Sequence, residues 1–215
     1  APAREDEAVS RIEAFHAWKY SGPAPGGQRR GSAGVAPAGA GEYPAFGEDA
    51  MDATLYYFSG TGNSLYVARR IGEGLGGAAI SPIALEARDP RPRAETEVVG
   101  IVTPIYFTGW PALVRDFVRR IDLSSARYVF LVFTAGSIDL ECVSAQVWRA
   151  LARKGARLDA AFGVGMVDNY APKFHMVPES PELSAAIDAK LESIARTVRS
   201  RGRHSGFARG QCALD

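Results

Sequence analysis

Apolar residues along the chain alternate between short continuous runs and longer stretches in which they recur every three or four positions. The continuous runs, such as Tyr-Val-Phe-Leu-Val-Phe-Thr at residues 128–134, are typical of strands buried on both faces of a parallel sheet. The spaced stretches are typical of amphipathic helices, several of which are bounded by glycine or proline. This pattern predicts strands at residues 54–58, 79–85, 98–103, 128–134 and 157–167, and helices at 65–75, 111–121, 139–154 and 182–199.

The predicted helices follow the first, third, fourth and fifth strands. Buried strands that alternate with amphipathic helices favour an open parallel sheet covered on both faces. We therefore predict an α/β fold, a three-layer α/β/α sandwich built on a five-stranded parallel sheet. In such sheets, ligands bind at the edge formed by the carboxyl ends of the strands.

The segment between the first strand and its helix has the composition of an anion-binding loop. Its two glycines allow the backbone to turn close to an anion, and its hydroxyl and amide side chains can donate hydrogen bonds. The helix that follows contributes unpaired N–H groups and roughly half a positive charge at its first turn. The candidate phosphate ligands are Ser59, Gly60, Thr61, Gly62, Asn63 and Ser64.

Two better-known phosphate loops do not fit this segment. The loop of the P-loop nucleotidases ends in Gly-Lys-Ser or Gly-Lys-Thr, and residues 59–64 contain no lysine or arginine. The dinucleotide-binding loop has a third glycine or alanine at the position that Leu65 occupies here. A phosphate in this loop would therefore be held by dipoles and neutral donors alone.

The stretch Tyr-Tyr-Phe-Ser-Gly-Thr-Gly-Asn-Ser at residues 56–64 resembles the FMN phosphate loop of flavodoxins. Extended to residues 56–68, it is most similar to the flavodoxin half of bacterial proteins that fuse a flavodoxin domain to a two-cluster ferredoxin domain. The resemblance covers about residues 53–200. It implies the flavodoxin-like fold with strand order 2-1-3-4-5, and FMN bound with its phosphate on the loop at residues 59–64.

Three further loops at the same sheet edge are candidates for contact with the flat ring of a flavin. The loop after the third strand is rich in aromatic residues, and Tyr106 or Trp110 is the expected stacking partner, although Trp110 could instead pack in the core. Small residues follow the fourth strand, and an Asn-Tyr pair follows the fifth. The candidate ring-site residues are Pro104, Tyr106, Gly109, Trp110, Thr134, Gly136, Asn169 and Tyr170.

The two ends of the chain differ from its middle. Glycine, proline and alanine make up 19 of the 30 residues at positions 21–50, so we expect residues 1–50 to be disordered, and we hypothesise that Met51 is the native start. Residues 51–200 form the predicted FMN-binding domain, and residues 201–215 a basic tail. Only Cys142 and Cys212 are present, so the cysteine runs of a fused ferredoxin are expected to be absent.

Composition narrows the possible functions. The chain has 25 Lys and Arg against 24 Asp and Glu, which disfavours nucleic-acid binding by bulk charge. It contains no apolar run of about 18 residues, so we expect no membrane span and a cytoplasmic location. Three functions remain open: an FMN electron carrier with a redox partner protein of the ferredoxin type, an FMN-dependent reductase of quinones or other small acceptors, and an FMN-less interaction or regulatory module.

Overall fold

Five parallel strands form one sheet at the centre of the structure, a computed structural model that describes residues 51–106, 109–136, 140–167 and 180–204, without the side chains of 140–144 and 204. The strand order is β2-β1-β3-β4-β5, and every neighbouring pair is parallel. This is the 2-1-3-4-5 order expected above. The strands are β1 (Ala53–Tyr57), β2 (Ala79–Pro82), β3 (Val98–Pro104), β4 (Tyr128–Ala135) and β5 (Ala160–Gly165).

Helices cover both faces of the sheet, and a separate apolar core lies under each layer. Helices α1 and α5 lie over one face, which also receives side chains such as Leu55 and Val132. The other three helices lie over the opposite face, against Tyr56 and Phe133. Because side chains alternate along a strand, strands covered on both faces need apolar residues at nearly every position. The helices are α1 (Asn63–Gly74), α2 (Ile83–Glu86), α3 (Ala112–Arg120), α4 (Leu140–Ala152) and α5 (Pro181–His204).

The second predicted strand is wrong over its last residues. Strand β2 ends at Pro82, and the short helix α2 begins with Ile83, whose side chain is buried in the core beneath α3. The Ser81 hydroxyl donates to the Glu86 carboxylate at 2.5 Å, which ties the ends of this turn together. An apolar run of this length does not distinguish a strand from a strand that turns directly into a helix.

Hydrogen bonds beyond the ends of the strands hold the carboxyl edge of the sheet together. The Phe58 N–H donates to the Val102 carbonyl at 3.0 Å, and the Ile105 N–H donates to the Thr134 carbonyl at 3.0 Å. The Met166 N–H donates to a carbonyl at the end of β4. The loops that leave β1, β3, β4 and β5 therefore start from fixed positions along one edge.

None of the helices in the described ranges is both long and apolar enough to cross a membrane.

Candidate functional site

The predicted phosphate loop lies where the strand order reverses. From β1 the chain crosses to β2 on one side, and then returns to β3 on the other side of β1. The helices that follow β1 and β3 therefore lie on opposite faces, which opens a crevice between the ends of these two strands. Residues 58–62 leave β1 at this crevice and turn directly into α1.

The turn into α1 requires glycine. Gly62 has φ 94° and ψ −18°, in the left-handed region that a side chain disfavours. Its N–H donates to the Ser59 hydroxyl oxygen at 2.9 Å, and its carbonyl accepts the Tyr66 N–H at 2.9 Å. The first turn of α1 contains no acidic residue. Its N–H groups therefore face the loop without a competing carboxylate, as an anion site at a helix N-terminus requires.

Four of the six candidate ligands of the loop form an exposed pair and a tethered pair. Gly60 and Thr61 are exposed. Ser64 is buried instead, and its hydroxyl is hydrogen-bonded to the Thr134 hydroxyl at 2.8 Å. The Asn63 amide group donates to the Val167 carbonyl at 3.0 Å. Two predicted phosphate ligands thus connect the loop to the ends of β4 and β5, while Thr61 is the hydroxyl on the open side.

The loop after β3 reaches over the predicted phosphate loop. Tyr106 and Gly109 exchange two backbone hydrogen bonds, with N···O distances of 2.9 and 3.2 Å. The Tyr106 side chain is 50% exposed, and a Cβ atom placed on Gly60 would lie only 2.9 Å from its hydroxyl oxygen. The absence of a side chain at Gly60 leaves room for this approach. Two loops that are about 45 residues apart in sequence therefore meet at one point of the sheet edge.

The remaining ring-site candidates have different environments. Trp110 is 7% exposed and packs in the core beneath α3 and α4, the structural role that the sequence left open for it. Pro104 and Gly136 are half-buried at the ends of β3 and β4. Tyr106 is therefore the exposed aromatic residue of this loop within the described ranges. Asn169 and Tyr170 lie outside the described residues.

Two neighbours of the site were not anticipated from the sequence. A Cβ atom on Gly109 would lie 3.9 Å from the side-chain oxygen of Gln146. Helix α4 therefore lies close to the loop after β3. The Val167 carbonyl accepts the hydrogen bond from Asn63, and because it is a backbone group, no feature of the sequence indicates this contact. Within the described ranges, no group of three or more His, Cys, Asp or Glu side chains is placed to hold a metal ion.

Helix α1 is anchored to α5 by a polar cluster behind the site. The buried Tyr66 hydroxyl donates to the Asp188 carboxylate at 2.5 Å, and Arg70 lies 3.5 Å from the same carboxylate oxygen. Burial and this hydrogen bond raise the pKa of Tyr66 above its ordinary value, so the phenol stays protonated. A buried tyrosine usually has a hydrogen-bond partner for its hydroxyl. The sequence does not identify Asp188 as that partner, because this requires knowing that α1 and α5 share one face of the sheet.

Comparisons with known proteins give structural neighbours only. No protein-family model and no curated protein matches the chain. A flavodoxin from the domain Archaea is similar at 12% identity and a TM-score of 0.47, over 72% of this chain and 100% of its own. The Streptococcus pneumoniae TIGR4 flavodoxin is similar at 18% identity and a TM-score of 0.46, over 69% and 98%.

A Lactobacillus acidophilus NCFM flavoprotein in complex with FMN is similar at 10% identity and a TM-score of 0.43, over 53% of this chain and 93% of its own. The strand order and the two helix layers are themselves sufficient to identify the architecture. The described part of the chain has the flavodoxin-like α/β fold.

Proposed function

We propose that the chain binds FMN and passes one or two electrons between redox partner proteins. The observation that carries this proposal is the junction of two loops at the β1/β3 crevice. There, an exposed Gly60-Thr61 pair precedes the N-terminus of α1, and the Tyr106 hydroxyl lies over Gly60. When bound, FMN supplies the electron-transfer chemistry, while the protein sets its orientation and access.

The residues present fit a phosphate monoester. Gly60 is exposed and carries no side chain that would clash with the Tyr106 hydroxyl, and Gly62 provides the left-handed turn that directs the chain into α1. The phosphate would accept hydrogen bonds from the first N–H groups of α1 and from the Thr61 and Ser59 hydroxyls. Because no cation lies within residues 59–64, these neutral donors and the helix dipole supply the attraction.

The flavin ring would lie between the loops that follow β3 and β4. The exposed Tyr106 ring is the candidate stacking surface, and Pro104, Gly109 and Gly136 are the candidates for close backbone approach. Asn169 and Tyr170 stay predictions for the wall contributed by the loop after β5. A partner of the ferredoxin type and a cytoplasmic location also stay predictions from the sequence.

Titration of the purified apoprotein with FMN, followed by absorption and flavin fluorescence, tests the proposal. We expect the wild-type protein to bind FMN, and Thr61→Glu to bind it at least about a hundredfold more weakly, because its carboxylate would lie beside the phosphate. Thr61→Ser keeps the hydroxyl and is the matched control, with nearly unchanged affinity. Position 61 is exposed, so both variants should fold, which circular dichroism checks.

Failure of the folded wild-type protein to take up FMN would contradict the proposal and favour the FMN-less interaction module. If FMN binds, steady-state assays distinguish the two redox functions. A carrier should exchange electrons with redox proteins but show little turnover with NAD(P)H and quinones. Sustained turnover with a nicotinamide donor and a quinone would instead establish the reductase.

A further inference from the structure

The Tyr106 side chain starts from a fixed backbone position. The residue before it, Ile105, donates its N–H to the Thr134 carbonyl at 3.0 Å. Tyr106 itself exchanges two backbone hydrogen bonds with Gly109. The backbone at Ile105 and Tyr106 is thus tied to β4 and to Gly109. The position of its hydroxyl therefore depends mainly on its side-chain rotamer.

That hydroxyl lies over the phosphate loop. The Tyr106 oxygen is 2.9 Å from the position that a Cβ atom on Gly60 would occupy. Gly60, Thr61 and Tyr106 are all exposed. A phosphate seated on the exposed side of the loop would consequently meet the end of the Tyr106 ring, where the O–H group is, before it met the face of the ring.

The loop has no cationic side chain, so neutral donors such as the Tyr106 hydroxyl would have to bind the anion. Residues 59–64 contain no lysine or arginine, and the Ser64 hydroxyl is buried and bonded to Thr134. The Asn63 amide group donates to the Val167 carbonyl. With these two side chains engaged elsewhere, an additional O–H donor directed at the anion is a substantial part of the side-chain contribution, because hydrogen bonds to charged groups are stronger than neutral ones.

We propose that Tyr106 is a specificity-determining residue whose hydroxyl donates a hydrogen bond to the phosphate of the bound flavin nucleotide. This inference rests on the proposed function, since it assigns one contact of the same ligand. It makes Tyr106 a residue that distinguishes FMN from riboflavin, which has the same ring and no phosphate. A residue that only stacked on the ring would treat the two flavins alike.

The test measures the dissociation constants of FMN and riboflavin for wild type and Tyr106→Phe, by quenching of flavin fluorescence. Phenylalanine keeps the ring and removes only the hydroxyl. We expect Tyr106→Phe to bind FMN about tenfold to a hundredfold more weakly and to bind riboflavin with unchanged affinity. Tyr106→Leu removes the ring as well and should weaken both.

Tyr128→Phe is the matched control. Tyr128 begins β4 at the opposite edge of the sheet, is 3% exposed, and its hydroxyl has no hydrogen-bond partner among the described residues. Removal of the Tyr128 hydroxyl should change neither the dissociation constant for FMN nor that for riboflavin. Unchanged FMN affinity in Tyr106→Phe, or an equal loss for both flavins, would overturn the inference and leave FMN binding intact. A wild-type protein that binds neither flavin would overturn the proposed function, and this inference with it.

Discussion

The packing of the central sheet depends on one residue that has no side chain, Gly100. Gly100 lies in the middle of β3, directly opposite Leu55 on one neighbouring strand and Phe130 on the other. Both side chains lean over the glycine, so a Cβ atom there would lie 2.3 Å from a Leu55 methyl group and 2.6 Å from the Phe130 ring. Leu55 and Phe130 are fully buried and have little room to move.

Gly100→Ala should therefore overpack the core. We expect it to lower the free energy of unfolding by about 1 to 3 kcal/mol, even though alanine favours a strand more than glycine does. Urea unfolding followed by circular dichroism measures the change. Gly165→Ala, at the end of β5, is the control, because a Cβ atom there meets nothing within 4 Å. Equal midpoints for the two variants would contradict the packing described for β3.

The candidate site residues were predictable by type more readily than by role. Glycines in a strand–loop–helix context indicate a close approach of backbone to ligand, and Gly62 has the left-handed conformation that only such a residue adopts easily. The same sequence suggested four side-chain donors without showing which would face outward. Ser64 and Asn63 bond to groups 70 and 104 residues away in sequence, and no local pattern reveals partners so distant.

Among the elements, helix α1 both provides the proposed anion site and packs against α5. Its N-terminus forms the proposed anion site, and its body must be held against the sheet so that this end does not move. Close packing provides part of the anchor, since a Cβ atom on Gly74 would lie 2.6 Å from the Cβ of Ala195 on α5. The hydrogen bond from Tyr66 to Asp188 adds a polar contact nearer to the loop.

A double-mutant cycle on Tyr66 and Asp188 measures this anchor. Tyr66→Phe should cost about 1 to 2 kcal/mol of unfolding free energy, because it removes a hydrogen bond to a charged acceptor that is itself partly exposed. Asp188→Ala should cost a similar amount, and the double variant less than the sum of the two. Glu73→Ala, which removes only the exposed pair with Arg70, should stay within about 0.5 kcal/mol. Strict additivity of Tyr66→Phe and Asp188→Ala would contradict a coupled anchor.

The succession of elements followed from the sequence better than their packing partners did. Continuous apolar runs identify buried strands, because both faces of the sheet are covered. The turn of the chain into α2 after Pro82 was missed, since Ile83 is equally apolar in a strand or a helix. The pairing of α1 with α5 depends on which face each crossover takes, and this is a property of the whole sheet.

At the scale of the whole molecule, the strand order gathers the candidate residues. Because the crossover from β1 to β2 and the crossover from β3 to β4 run in opposite directions across the sheet, the loops after β1 and β3 border one crevice, and the ends of β4 and β5 complete the edge. The sequence alone predicts strands and helices in alternation. The order itself came from the resemblance of residues 56–64 to flavodoxins, and the structure confirms it. The disorder of residues 1–50 and the ring contacts of Asn169 and Tyr170 concern residues outside the described ranges and stay predictions.

The central claim is that the loop between β1 and α1 binds a phosphate, and side-by-side titration of the wild-type protein with FMN and riboflavin tests it most directly. The two ligands share the ring and differ only in the phosphate. Two or more hydrogen bonds to that charged group should make FMN bind at least about a hundredfold more tightly than riboflavin. Equal affinities for the two flavins would show that the loop does not bind the phosphate and would contradict this account.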